Sequence, residues 1–321
     1  EMLRSLVGSE MCIRDRTKNK NIKTVKNENN SGHGVKKKTI GDIVIYIILG
    51  LITLISFLPF WHILACTFAS ASDVRESAFL LFPKHFTLST IKYVFASKSI
   101  TQALLNSVFI TVVGTLSSLI MTALMAYPLS KPHLRFRNQI MFLIVLTMVF
   151  HPGMIPNFLN VKDMGLYNSI WSLIIPGLIG PYNLILIKNY YQSLPESLLE
   201  SARIDGAGDW RILIKMIVPL SKPIYATVGL FYAVGYWNSY LNAILFIDDS
   251  NKWPIQVLLR NIVLMAQTDL GSEAGSVFEM AIDLQSLRSA TIFISILPIL
   301  CVYPFVQKHF VKGIMLGSVK G

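Results

Sequence analysis

TQALLNSVFITVVGTLSSLIMTALMAYPLS, residues 101–130, contains no Asp, Glu, Lys or Arg. A helix crosses the hydrocarbon core of a bilayer with about 20 apolar residues. In hydrocarbon each backbone N–H and C=O has to be satisfied within the segment, which an α-helix achieves. The stretch therefore predicts a membrane-spanning helix. Working outward, five further charge-free runs flank it, at 43–72, 139–161, 165–187, 223–247 and 289–307, and all 18 acids of the chain fall outside the six runs. The composition agrees. Hydrophobic residues make up 53% and charged residues 15% of the 321 positions, with a mean hydropathy of +0.53, whereas a soluble domain carries about a quarter charged residues. The fold class expected is all-α, a polytopic membrane protein with six transmembrane helices.

The net charge of +11 is distributed in a way that argues against nucleic acid. Ten Lys/Arg against four acids lie in the first 38 residues, and the rest are spread over short loops. No basic patch is interleaved with the stacking aromatics that single-strand binders use. Basic flanks beside apolar runs set topology instead. With the N-terminus inside, the inner loops 131–138, 188–222 and 308–321 hold 11 Lys/Arg in 57 residues, and the outer loops 73–100, 162–164 and 248–288 hold eight in 72. Both termini are therefore expected in the cytoplasm, with membrane lipid around the helices. Residues 10–16, EMCIRDR, look like the translation of a library adapter, so 1–16 are read as an artefact. Residues 17–40, rich in Lys and Asn, are read as a disordered basic cytoplasmic tail. Residues 41–321 form the membrane domain.

Several chemistries find no support. Cys12, Cys66 and Cys301 have no paired spacing, and cysteines in apolar runs behave as small hydrophobes. His62 and His151 have no second ligand at metal spacing, which favours structural or interfacial roles. No Ser/His/Asp set or carboxylate pair stands out, so no catalytic residue is assigned. Gly32-His33-Gly34-Val35-Lys36 lacks the spacing and the preceding strand of a phosphate-binding loop. Ion-coupled carriers keep ionisable residues within the membrane. No Asp, Glu, Lys or Arg is present in the runs, so an external energy source or passive conduction is expected.

The loop between the fourth and fifth runs, residues 193–223 (SLPESLLESARIDGAGDWRILIKMIVPLSKP), is the most informative polar segment. Ser193 and Glu196 have capping-box spacing, with Pro195 in the first turn. That helix places Leu198, Leu199 and Ala202 on one side and Glu200 and Arg203 elsewhere. It breaks at Asp205-Gly206, where Gly206 has access to positive φ and Asp205 is placed to cap a second helix. The second helix, from about Ala207 to Val218, puts Trp210, Leu213, Ile214 and Ile217 at helical spacing. Periodicity alone is equally compatible with an interfacial amphipathic element that anchors the loop.

Glu200-Ser201-Ala202, Asp205-Gly206-Ala207 and Pro219-Leu220-Ser221-Lys222-Pro223 resemble the "E-A-A, then G" cytoplasmic loop of binding-protein-dependent ABC permeases, with Ser201 in place of the first Ala. Leu58-Pro59-Phe60-Trp61, Ala126-Tyr127-Pro128-Leu129-Ser130-Lys131, Gly235-Tyr236-Trp237-Asn238 and the C-terminal Tyr303-Pro304-Phe305 and Phe310–Gly321 extend the resemblance over residues 40–321. They are similar to the carbohydrate branch, to the maltose-type second permease subunit, and most closely to the complex-oligosaccharide subgroup of Gram-positive bacteria. The resemblance implies a sugar-importing transport subunit rather than an enzyme. It implies a second homologous permease subunit, two cytoplasmic ATPase subunits that use the ATP, and an extracellular sugar-binding protein; this chain itself would bind no cofactor and no metal. It also implies that Glu200, Ser201, Ala202, Asp205, Gly206, Ala207 and Gly208 form the ATPase-coupling segment.

Tyr232, Tyr236, Trp237, Asn238, Tyr240 and Asn242 make the fifth run polar and aromatic. Tyr236, Trp237, Asn238 and Asn242 are candidates for the substrate path; helix–helix packing with Asn as interhelical glue is the alternative. The outer loop 248–288, with a flexible Gly271–Gly275, is a candidate docking surface for the binding protein or plain connecting sequence. Two rival functions remain open at this point: an ABC permease for another small solute, and an ion-coupled secondary carrier.

Overall fold

The structure, a computed structural model, describes residues 40–77, 79–150, 152–268 and 285–301. The adapter-like segment, the basic tail up to residue 39, His151, Gly271–Gly275 and the C-terminal motif lie outside the described residues, while Ile40, expected in the tail, begins the first helix. Those described are helical, with a single isolated bridge between Ala69 and Phe86. Expected runs one and two are unbroken helices, α1 (Ile40–Phe68) and, after the short α2 (Ala71–Glu76) and α3 (Ser89–Ala96), α4 (Lys98–Ser130).

The later runs are broken. The third gives α5 (Arg137–Val149) and α6 (Met154–Asp163), set 119° apart, with Gly153 at positive φ leading into α6. The fourth gives α7 (Trp171–Gly177) and α8 (Pro181–Gln192), bent by 48°. Pro176 and Pro181 cannot donate to a continuing helical ladder, and both sit in a first helical turn, where no donor is needed. The inter-run segment forms α9 (Glu196–Ile204) and α10 (Asp209–Leu220), the latter widened to a π-turn over Leu213–Ile217. The fifth run forms α11 (Lys222–Trp237), bent 81° from α10, and a separate α12 (Leu241–Phe246). Then come α13 (Ile255–Thr268) and α14 (Gln285–Cys301). Among the described residues, two helices are long and apolar enough by length and composition to cross a membrane, and up to five spans result if each bent pair counts as one.

The outer loop expected over 248–288 contains a helix that the charge map hid. Ile255, Val257 and Ile262 of α13 are buried. Ser107 Oγ accepts the Ile255 N–H at 2.8 Å, and Asn106 Nδ2 donates to the carbonyls of Asn251 and Trp253. Two polar residues of α4 thus seat the start of α13 against it.

The chain divides into two units, residues 1–58 and 59–321. In the first, the described part of α1 is apolar and residues 44–57 are exposed throughout. In the second, α4 is the central post. α11 and α8 pack along it, and Ile110, Ala126, Leu184, Ile187, Val228 and Ile217 are fully buried or nearly so in the shared core. A smaller cluster joins Val94, Ile100 and Trp237 to Ile255, Ala290 and Ile294. The segment after α1 folds back onto that helix. His62 Nδ1 accepts the Leu80 N–H at 3.2 Å while its ring stacks on Phe79, and Cys66 is buried beside it. His62 is thus engaged in packing, as its isolation in the sequence suggested.

Candidate functional site

Two places merit construction from their residues: the turn between α9 and α10, and a cleft between α6, α7 and α11.

The turn is closed by backbone. The Gly206 N–H donates to Arg203 O at 3.0 Å and the Ala207 N–H to Ala202 O at 2.9 Å, the paired bonds of a Schellman ending. Gly206 has φ +78°, the conformation its sequence position suggested. The expected caps are corrected. Helix α9 starts at Glu196 with Pro195 before it, and Ser193 instead ends α8, its hydroxyl donating back to Tyr190 O at 2.7 Å. Asp205 likewise ends α9, and Gly208 precedes α10. The physical reason is local: the Schellman turn needs two further residues after Asp205, which moves the second helix start to Asp209.

Leu199 and Ala202 are buried, whereas Glu200, Ser201, Asp205, Gly206 and Gly208 are exposed and Ala207 is half-buried. No atom lies within 4 Å of a Cβ placed on Gly206 or Gly208. Ile212, Leu213 and Ile217 form the buried face of α10, and Trp210 and Ile214, which helical spacing grouped with Leu213 and Ile217, stand outside it. Ile204, Trp210 and Ile214 are 85%, 68% and 61% exposed. Apolar side chains therefore stand open beside a turn of small residues, a surface fitted to a close-packed partner.

The turn is tied to α4. The Tyr127 hydroxyl donates to Asp209 Oδ1 at 2.7 Å, Arg203 stands 3.6 Å from the same carboxyl, and Lys131 Nζ lies 4.9 Å above the Tyr127 ring. The Tyr127 hydrogen bond, aided by Arg203 and Lys131, holds the Asp209 carboxyl below the usual carboxylate range.

The cleft encloses about 360 Å³ and is lined by Asn157, Asn160, Ser172, Tyr232, Tyr236, Ser239 and Asn242 with apolar neighbours and no charged side chain. Its tyrosines are fixed from behind. Tyr232 OH sits 2.7 Å from Thr122 Oγ1 and accepts the Gly180 N–H at 2.9 Å. Tyr236 OH sits 2.8 Å from Ser118 Oγ and 3.3 Å from Ile174 O. The Tyr236 ring lies so close to Gly114 that a Cβ there would come within 2.9 Å of three ring atoms. Gly114, Ser118 and Thr122 recur every fourth residue, one face of α4.

Of the four path candidates, Tyr236 and Asn242 line this cleft. Trp237 turns away, donating from Nε1 to Ser295 O of α14 at 3.1 Å, and Asn238 is exposed at the end of α11. The sequence reading missed Asn157, Asn160, Ser172 and Ser239. The signal available was Asn157-x-x-Asn160, two amides one turn apart inside an apolar run. Uncharged amides, hydroxyls and phenol rings are suited to a hydroxyl-rich solute. Among the described residues no group of three His, Cys, Asp or Glu gathers as for a metal.

Residues 112–315 match the family described as the binding-protein-dependent transport system inner membrane component. The chain is 48% identical over 287 residues to the polygalacturonan/rhamnogalacturonan transport system permease protein YtcP of Bacillus subtilis, covering 89% of this chain and all of that one. It is 45% identical to protein LplC of the same organism, covering 90% and 98%. Among solved structures, a chain of a bacterial ABC transporter that imports the acidic polysaccharide alginate superposes with a TM-score of 0.79 at 35% identity, covering 86% and 98%. This all-α chain is therefore a multi-pass membrane transport subunit that belongs to the family of binding-protein-dependent transport system inner membrane components.

Proposed function

We propose that the chain is one permease subunit of an ATP-driven importer of oligosaccharides, coupled to separate ATPases through the α9–α10 turn. The single observation that carries this reading is the pairing of two sites on one helix. α4 backs the uncharged cleft through Ser118 and Thr122, and holds the open turn through Tyr127. The relatives' names point the same way, since they concern polygalacturonan, rhamnogalacturonan and alginate.

In this reading the six apolar runs are six spans with both termini cytoplasmic, and the broken ones border the path. A second homologous permease completes the pore, an extracellular binding protein delivers the sugar, and two ATPases use the ATP. Glu200, Ser201, Ala202, Asp205, Gly206, Ala207 and Gly208 form the face that an ATPase grips, flanked by exposed Ile204, Trp210 and Ile214. Tyr236 and Asn242 meet the sugar, joined by Asn157, Asn160 and Ser239.

The test is uptake into proteoliposomes holding this chain, its co-encoded permease and an ATPase, with the co-encoded binding protein outside. Labelled oligogalacturonide and raffinose serve as probes. Uptake of either that requires internal ATP supports the reading. Amino-acid uptake under the same conditions, or uptake driven by a proton or sodium gradient through this chain alone, overturns it. Glu200→Ala should leave assembly intact and lower sugar moved per ATP hydrolysed.

A further inference from the structure

The turn is connected to the cleft by two routes. One is covalent: α10 continues through Ser221 into α11, which carries Tyr232 and Tyr236. The other runs through the buried faces of α9 and α10 in the shared core and through a side-chain hydrogen bond, Tyr127 OH to Asp209 Oδ1 at 2.7 Å, bridging 82 residues of sequence. These routes end on opposite partners of the same hydrogen bonds, because Tyr232 and Tyr236 of α11 bond Thr122 and Ser118 of α4. Any displacement of the turn that moved α11 alone would shear those bonds and open the back of the cleft.

We infer that Tyr127 and Asp209 form a latch that makes α4 follow the α9–α10 turn, so that both walls behind the cleft tyrosines move as one body. Three features favour this bond as the working element. Tyr127 is buried while Asp209 is largely exposed, so the contact fixes a mobile surface group to a packed one. It joins a neutral donor to a carboxylate, which makes it stronger than a neutral pair. The neighbouring Arg203–Asp209 pair is longer, at 3.6 Å, with both side chains more than half exposed, and such pairs add little. Along α4, Tyr127 lies nine residues past Ser118, about 14 Å at the helical rise, so a rigid helix carries the displacement from the turn to the cleft. Tyr127 and Asp209 are positioning residues and touch no solute.

The consequence for transport rests on the coupling reading above, but the latch is tested without ATPase or sugar. The full chain, with Cys12, Cys66 and Cys301 replaced and spin labels on Met121→Cys in α4 and Arg211→Cys in α10, is placed in lipid nanodiscs. The parent should give one narrow label–label distance. Tyr127→Phe and Asp209→Ala should each raise the displaced population about tenfold, the effect of losing one hydrogen bond to a charged group. Asp209→Asn should fall between the parent and Asp209→Ala, because its amide oxygen still accepts from Tyr127 but without the charge, and Arg203→Gln should leave the distance narrow. A broad distance in the parent, or an unchanged one in Tyr127→Phe, overturns the latch. Broadening in Arg203→Gln and Asp209→Asn equal to that in Tyr127→Phe assigns the hold to the ion pair and overturns it too. Failure of sugar uptake in proteoliposomes would count against the transport reading and leave these distances untouched.

Discussion

Replacing Gly206 by alanine isolates a backbone effect at the turn. A Cβ at this position meets no atom within 4 Å, so no steric clash contributes. The φ of +78° is what matters: holding an L-residue there costs about 1–2 kcal/mol. Alanine also narrows the unfolded ensemble, which offsets about 0.4–1 kcal/mol of that, leaving a net loss near 1 kcal/mol. The two bonds that close the turn, Gly206 N–H to Arg203 O and Ala207 N–H to Ala202 O, should then open about fivefold more often. Amide hydrogen exchange at Ala207, followed by mass spectrometry on the protein in nanodiscs, reads that opening directly. Gly206→Asn provides the graded control, because asparagine visits left-handed backbone more readily than alanine. The expected order of protection is glycine, then asparagine, then alanine. Equal protection in all three, or less in asparagine than in alanine, would refute the argument from backbone conformation.

Further outcomes follow from the packing. Gly114→Ala should force the Tyr236 ring aside and cost about 1–3 kcal/mol, seen as a lowered Tm in detergent. Gly235→Ala, where a Cβ meets nothing within 4 Å, should be neutral or slightly stabilising. Tyr232→Phe should cost about 1–3 kcal/mol, because the Thr122 hydroxyl and Gly180 N–H lose their shared partner; chemical denaturation checks it. The segment after α1 should loosen in acid. His85 donates its backbone N–H to Asp73 at 2.7 Å and its ring stands 3.0 Å from the same carboxylate, which lowers that group's pKa below the usual 3.8. A depressed folded pKa stabilises fully above the unfolded value and is lost as pH falls from about 4 through the folded value. Limited proteolysis between 73 and 88 should rise over that window, and Asp73→Asn should abolish the pH dependence; an unchanged profile in that variant would rule the carboxylate out.

Much of this architecture was legible because hydrocarbon is an unforgiving solvent for charge. The runs at 43–72 and 101–130 became α1 and α4 with ends within about four residues. Where the reading failed, the missing information was long-range. Charge-free runs say which residues can be buried, not whether the backbone stays straight, so the bend between α7 and α8 was not foreseen despite Pro176 and Pro181. α13 was hidden because 14 residues are too few to span, yet Ile255, Leu258 and Ile262 repeat at helical spacing. Gly206 was readable because its backbone angle is a local property. The face of α10 was only partly readable: Leu213 and Ile217 are buried as their spacing suggested, but which flank of that stripe meets the bundle, leaving Trp210 and Ile214 open, is set by long-range packing.

The bend between α7 and α8 leaves backbone groups that no helix partners, and the cleft tyrosines serve them: Tyr232 takes the Gly180 N–H and Tyr236 approaches the Ile174 carbonyl. One wall of the cleft is therefore scaffolding as much as lining. In the proposed reading, a lineage adapting this cleft to a new solute is not free to change those two phenols, since each exchange would unpair main chain at the bend. The opposite wall, with Asn157, Asn160, Ser239 and Asn242, carries no such duty in the hydrogen bonds of the bend. Selectivity among related permeases should drift there first, and libraries built to retarget the cleft should vary the amide wall and leave the tyrosines alone.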